Sequence, residues 1–281
     1  MTANNLVNVK AWIDARPVSS FQWRVLVLCL IIIMFDGYDA AVMGFIAPAL
    51  IEHWGISRSA MGPILGAAMF GVALGALIAG PMSDRYGRKR VILLSVLIFS
   101  AFSLACAYAA SPTQMALLRF IAGLGLGAVM PNCVTLLSEY MPERRKGIMI
   151  TLMFSGFNIG SGLGGFIAAG LLAHYHWPAV LIFGGALPLI MLPVIAWLLP
   201  ESALNLVVRK APRAQIAALL NRMGGHFTDE SAFILNSPSI KRNSTIAELF
   251  RHGFARGTII LWLTYFMGLF VIYLLNGWLP T

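Results

Sequence analysis

Residues 24–50 read RVLVLCLIIIMFDGYDAAVMGFIAPAL, an apolar run with two carboxylates, Asp36 and Asp39, set near its middle. About 20 residues of helix cross the hydrocarbon core of a bilayer, so both acids fall at membrane depth. An ionisable side chain there costs roughly 2.5–3.5 kcal/mol on insertion scales and normally faces a water-filled path or a partner. Spaced i, i+3, the two acids share one helix face, and like charges this close titrate as a coupled pair. The pattern reads as a proton-carrying site. A polar kink packed inside a helical bundle is the plainer reading of the same residues.

The rest of the chain agrees with a membrane setting. Of 281 residues, 59% are hydrophobic and only 11% charged, against about 25% charged in an ordinary soluble domain, and the mean hydropathy is +0.80. Further runs long enough to span fall at about 59–82, 91–110, 115–138, 147–173, 178–199 and 257–280. These predict an all-α integral membrane protein with seven spans. The N-terminal run imitates a signal peptide, but the full-length spans behind it make it the first of a series.

The net charge of +9 is a matter of topology and gives no reason to expect nucleic acid. Lys10, Arg16 and Arg24 precede the first span, and Arg85, Arg88, Lys89 and Arg90 follow the second. Arg144, Arg145 and Lys146 follow the fourth. Arg209, Lys210, Arg213, Arg222, Lys241, Arg242, Arg251 and Arg256 lie between the sixth and seventh. Of the 20 Lys and Arg, only Arg58 and Arg119 lie elsewhere. The excess of Lys and Arg marks the cytoplasmic side. The expected division is a cytoplasmic tail over 1–23, six spans over 24–199, a cytoplasmic segment over 200–256 and a seventh span over 257–281. Within 200–256, Pro212 to Met223 reads as a short amphipathic helix stopped by Gly224 and Gly225, and Thr245 with Glu248 has capping-box spacing. The seventh span, reached after the long loop, reads as the opening of a second bundle whose other helices lie outside this sequence.

Cofactor chemistry finds no support. Cys29, Cys106 and Cys133 are dispersed within apolar runs without a CxxC. The five histidines form no HExxH, and His174 and His176, beside Tyr175 and Trp177, read as an interfacial turn. No nucleophile–base set appears at membrane depth, so an enzyme is not expected.

Three motifs carry a family resemblance. GPMSDRYGRKR, Gly80 to Arg90, resembles the signature loop GxLaDrxGrkx of the major facilitator superfamily, matched at Gly80, Asp84, Arg85, Gly87, Arg88 and Lys89. That resemblance implies a gate locking two helical halves together on the cytoplasmic side. Arg119 with Gly123, Gly125 and Gly127 resembles the superfamily's RxxxGxGxG. A guanidinium is effectively always charged, so Arg119 needs an anion, Asp36 or Asp39 by depth, unless it snorkels to the outer interface. GFNIGSGLGG, Gly156 to Gly165, is similar to the antiporter pattern gxxxGPxxGG, with Ser161 where the proline belongs.

Together with LLPES after the sixth span and NGWLPT at the end, these residues resemble the aromatic acid:proton symporter branch. The resemblance implies uptake of benzoate-like or hydroxybenzoate-like acids across the bacterial inner membrane, with Asp36, Asp39 and Arg119 coupling protons. Phe35, Tyr38, Phe157 and Asn158 are the candidate pocket wall, although each is also explained by packing. The implied partners are an aromatic acid, protons, the bilayer and a second helical half. A proton-driven efflux antiporter, or another metabolite:proton symporter of the superfamily, is the alternative. The 281 residues by themselves are expected not to transport, because facilitators bind substrate between two halves.

Overall fold

We describe the protein from a computed structural model, in which residues 6–228, 230–235 and 253–278 are described. In chain order the elements are β1 (Leu6–Asn8), α1 (Val9–Asp14), α2 (Ser20–Trp54), α3 (Met61–Tyr86) and α4 (Arg88–Cys106). There follow α5 (Pro112–Tyr140), α6 (Glu143–His174), α7 (Pro178–Leu198), α8 (Ala203–Val208), α9 (Arg213–Arg222), β2 (Ala232–Ile234) and α10 (Ala255–Trp278). The chain divides into two units, Met1–Leu235 and Asn236–Thr281.

Helices α2 to α7 are each long and apolar enough to cross a membrane, and they fall on the six spans read between residues 24 and 199. The ends differ from the sequence reading. The 35 residues of α2 give about 52 Å of helix at 1.5 Å per residue, well beyond a hydrocarbon core of about 30 Å. Hydropathy finds only the part of a helix that matches lipid. The stretch read as the loop GPMSDRYGRKR is therefore helical apart from Gly87, which at φ +100° ends α3 and begins α4. Caps fix several starts: Ser19 and Gln22 form a capping box on α2, and Ser111 accepts from the Gln114 N–H, with Pro112 opening α5.

Two helices form the middle of the bundle. In their most apolar stretches α2 is 72% and α5 61% buried, against 22–44% for the other four. Close crossings explain the glycines. A Cβ at Gly123 or Gly127 would strike the backbone of α3 at Ala68 or Val72, and one at Gly125 would strike α4 at Ser95 and Phe99. Alternate glycines of GLGLG thus let α5 sink between two neighbours. The crossing of α2 on α6 works likewise: Gly37 lies against the Phe157 backbone, Gly156 against Leu30 and Gly160 against Met34. With no hydrophobic drive between helices in lipid, such backbone approach is a main source of association.

The segments read as a tail and a linker are more structured than that reading. At the bundle end that carries Arg88 and Tyr140, α1, α8 and α9 pack Val9, Ile13, Leu206, Ile216 and Leu220 into one core with α2 and α5. Strands β1 and β2 pair in parallel, Leu6 opposite Ala232 and Asn8 opposite Ile234, a small β addition to an otherwise helical protein. Trp12 meets Phe227 edge-on at 5.3 Å, with the Arg16 guanidinium 4.4 Å over the Trp12 ring. Asp14 accepts from the Glu143 N–H at 2.9 Å, capping α6, while Lys10 bridges Asp14 and Glu143.

The amphipathic helix expected from Pro212 is α9, closed by Gly224 at φ +93°. In the second unit, α10 covers the expected seventh span as far as Trp278. Its 24 residues give about 36 Å. Residues 279–281, and the capping box at Thr245 and Glu248, lie outside the described residues.

Candidate functional site

Three helices meet at Asp39. Arg119 of α5 grips its carboxylate with both terminal nitrogens, Nη1 to Oδ1 at 3.0 Å and Nη2 to Oδ2 at 2.8 Å. Nη2 also reaches the Asp39 carbonyl at 3.5 Å. Ser103 of α4 donates its hydroxyl to Oδ1 at 2.7 Å. Both charged side chains are only 3% exposed, so of the readings left open for Arg119 the structure shows the ion pair and not snorkelling. Its Nε is buried and has no acceptor among the described residues. A bidentate guanidinium–carboxylate pair is strong and fixed in direction. In this interior, losing either partner costs far more than a surface pair would.

Asp36 is placed differently. It is buried, 7% exposed, one turn from Asp39, yet among the described residues no hydrogen bond or ion pair is formed by its carboxyl. The i, i+3 pair therefore holds one carboxyl paired with Arg119 and one without a partner among the described residues.

The candidate wall residues do not converge on this pair. Phe35 and Tyr38 line a cleft of about 230 Å³ between α2, α6 and α7, with Met34, Leu163, Phe183 and Leu187. The Tyr38 hydroxyl is committed to the Val180 carbonyl at 3.0 Å, and its ring lies 5.7 Å from that of Phe183. Phe157 presents its backbone to Gly37, and Asn158 is exposed on α6. Of the candidate proton-coupling residues, Asp39 and Arg119 are the two that the structure brings into direct contact.

A second constellation forms where α3 meets α4. Arg88 reaches Asp84 at 3.0 Å and Glu139 of α5 at 3.2 Å, and donates to the Ser83 carbonyl at 3.1 Å. Glu201, just past α7, accepts from the backbone N–H of Arg88 at 2.9 Å and of Lys89 at 3.4 Å, and from that of Ser202 at 2.9 Å. Its own carbonyl accepts from the Tyr140 hydroxyl. A carboxylate at the first N–H groups of α4 satisfies donors the helix cannot and favours the positive end of its dipole. Gly87 leaves room for it, since a Cβ there would collide with the Glu201 carboxylate. Of the remaining loop residues, Gly80 and Arg85 are exposed, with Arg85 stacked over Tyr86 at 5.4 Å.

A bundle of six spanning helices, with an arginine–aspartate pair between its inner two and a basic helix junction at one end, is the setting in which comparison with known proteins decides. The family model "Major Facilitator Superfamily" matches residues 28–281. The chain belongs to that superfamily. This facilitator chain is 54% identical over 275 residues to a gallate transporter of Pseudomonas putida, covering 98% of the chain and 61% of that protein. It is 46% identical over 277 residues to a 4-hydroxybenzoate transporter of Pseudomonas aeruginosa, covering 98% and 62%. A benzoate transport protein of Acinetobacter baylyi is 34% identical over 282 residues, covering 98% and 60%. The chain thus spans about three fifths of the length of these curated relatives. Among solved structures, a proton:xylose symporter superposes with a TM-score of 0.67 at 17% identity, over 73% of this chain and 50% of that one, which shows the fold alone. The expected superfamily and its aromatic-acid branch are both supported by these relatives, and a multi-pass membrane protein follows.

Three residues that the sequence reading did not place complete the facilitator's two constellations: Ser103 on Asp39, and Glu139 and Glu201 around Arg88. Glu201 was visible in LLPES, but its target, the start of α4, lies 112 positions away. Glu201→Gln keeps an acceptor and removes the charge. It is expected to lower stability by about 0.3–1 kcal/mol, the usual worth of a charge at a helix end, read as a lower thermal midpoint in detergent with the fold retained.

Proposed function

We propose that this bundle works in a carrier that brings small aromatic carboxylates into bacterial cells across the inner membrane, driven by protons. What carries this reading is the agreement of its relatives, named for gallate, 4-hydroxybenzoate and benzoate, over nearly the whole of the chain. The charges within the spans support it. An anion entering an inside-negative cell works against about 2.3 kcal/mol per 100 mV, and one accompanying proton cancels that cost.

In this proposal Asp36 and Asp39 form the proton site, with Asp36, which has no partner among the described residues, exchanging the proton first. Arg119 holds Asp39 until a substrate carboxylate competes for the guanidinium, so anion arrival and proton uptake become one event. Phe35, Tyr38, Phe157 and Asn158 remain proposed contributors to the substrate path, Phe35 and Tyr38 acting by shaping α2 against α6 and α7. Gly80, Asp84, Arg85, Gly87, Arg88 and Lys89 form the proposed inner gate. Residues 1–23 and 200–256 face the cytoplasm in this reading, which the distribution of Lys and Arg supports, and 257–281 belongs to the second half of the carrier.

The test is flux. A protein containing this chain and a complete second bundle, reconstituted in liposomes, is expected to accumulate labelled gallate or 4-hydroxybenzoate when the inside is made alkaline. Collapse of the pH gradient should stop accumulation and leave exchange intact. Outward movement of the acid down the inward proton gradient would replace this reading with an efflux antiporter.

A further inference from the structure

The hydroxyl of Ser103 is the neighbour of Asp39 that has no part in the reading above, and its position has a chemical consequence. Asp39 Oδ1 receives two donors, Arg119 Nη1 and Ser103 Oγ, while Oδ2 receives Arg119 Nη2. A guanidinium only donates, so it can serve Asp39 as a carboxylate and cannot accept from it as an acid. A serine hydroxyl donates or accepts by turning about one bond. Ser103 is 1% exposed, and no other hydrogen bond is made by its hydroxyl among the described residues.

We propose that Ser103 is a positioning residue that stays bonded to Asp39 in both protonation states, donating to the carboxylate and accepting from the acid, and so sets the pH at which the Asp39–Arg119 pair exchanges its proton. This rests on the reading of Asp39 as part of the proton site. The other titratable or charged side chains around Asp39 are Asp36 and Tyr38 on α2, Cys106 on α4 and Arg119 on α5. The membrane-depth parts of α3, α6 and α7 carry none. A guanidinium does not release its proton in a protein. Ser103 is thus the uncharged polar contact through which the site is tuned without changing its charge.

Of the two bonds, the charge-assisted one to the carboxylate is the stronger, roughly twice a neutral one, so on balance Ser103 favours the charged form. Removing the hydroxyl lets the acid keep its proton to higher pH. Infrared difference spectra of the purified full chain, titrated with pH, should show a protonated-carboxyl band that Asp39→Asn deletes. With Ser103→Ala the midpoint of that band is expected to move about one pH unit to the alkaline side, a tenfold change in proton affinity. Ser103→Thr, which restores the hydroxyl, should return it to the parental value. Ser103→Cys, a weak donor, should shift it the same way as alanine and stands in if the alanine chain fails to insert. The pH midpoint of aromatic-acid uptake by the carrier with both halves should move in parallel.

An unchanged band midpoint in the alanine and cysteine chains, or an equal shift in the threonine chain, would overturn the role of Ser103. A shifted band in a carrier whose parental form moves no aromatic acid would leave Ser103 standing and remove the transport reading instead.

Discussion

Replacing Asp39 with asparagine is expected to abolish proton-driven uptake while the chain still inserts. The variant keeps the shape of the side chain and removes the charge that balances Arg119, 2.8 Å away and buried with it. An uncompensated buried charge costs about 3–5 kcal/mol when one partner of such a pair is lost, so the purified protein should also melt at a lower temperature. Exchanging both residues for apolar ones of similar size, Asp39→Leu with Arg119→Met, should recover much of that stability, because the cost of desolvating two charges disappears with them. Uptake should not recover. The separation of the two readouts identifies the pair as functional: a purely structural pair would regain both together. Normal uptake by Asp39→Asn would take Asp39 out of the mechanism.

The second large effect concerns the crossing of α2 and α6. Gly160→Leu is expected to prevent the bundle from closing, because its side chain would start against the Met34 backbone, where nothing flexible can give way. Overpacking of a tight interior costs typically 1–3 kcal/mol or more, and here it also separates the helix that carries Asp36 and Asp39 from its main support. Gly162→Leu, two residues on in the same motif, faces open space and should be almost neutral. Size-exclusion profiles and thermal midpoints of the two variants in detergent measure the contrast. Equal behaviour would show that the glycines of GFNIGSGLGG are not there for this contact.

These two cases show what a sequence makes legible in such a protein. The Asp39–Arg119 pair was readable because charges in lipid have few allowed fates and because depth along two antiparallel helices can be counted from their ends. The glycines of α5 were readable as small residues, but which neighbour each one faces was not, since that depends on how α3 and α4 flank α5. Phe35 and Tyr38 lie only one residue to the N-terminal side of the acids, yet that offset of about 100° turns them toward α6 and α7.

The helical form of Gly80 to Tyr86 was hidden because Arg and Lys were read as loop, although water-facing helix ends carry them equally well. In the layer formed by α1, α8, α9 and the two strands, α9 was legible from its amphipathic pattern and the glycines that stop it, but the strands left almost no local trace. Strands of three residues have no periodicity to detect, and their pairing joins positions at opposite ends of the unit.

That pairing bears on biosynthesis. Leu6 is bonded into a ladder with Ala232, so the first-made strand stays partnerless until more than two hundred further residues have left the ribosome. At about 5–20 residues per second the wait is roughly ten to forty-five seconds, while the six spans enter the bilayer. Completion of this small sheet therefore has to wait for the synthesis of all six spans that lie between its strands.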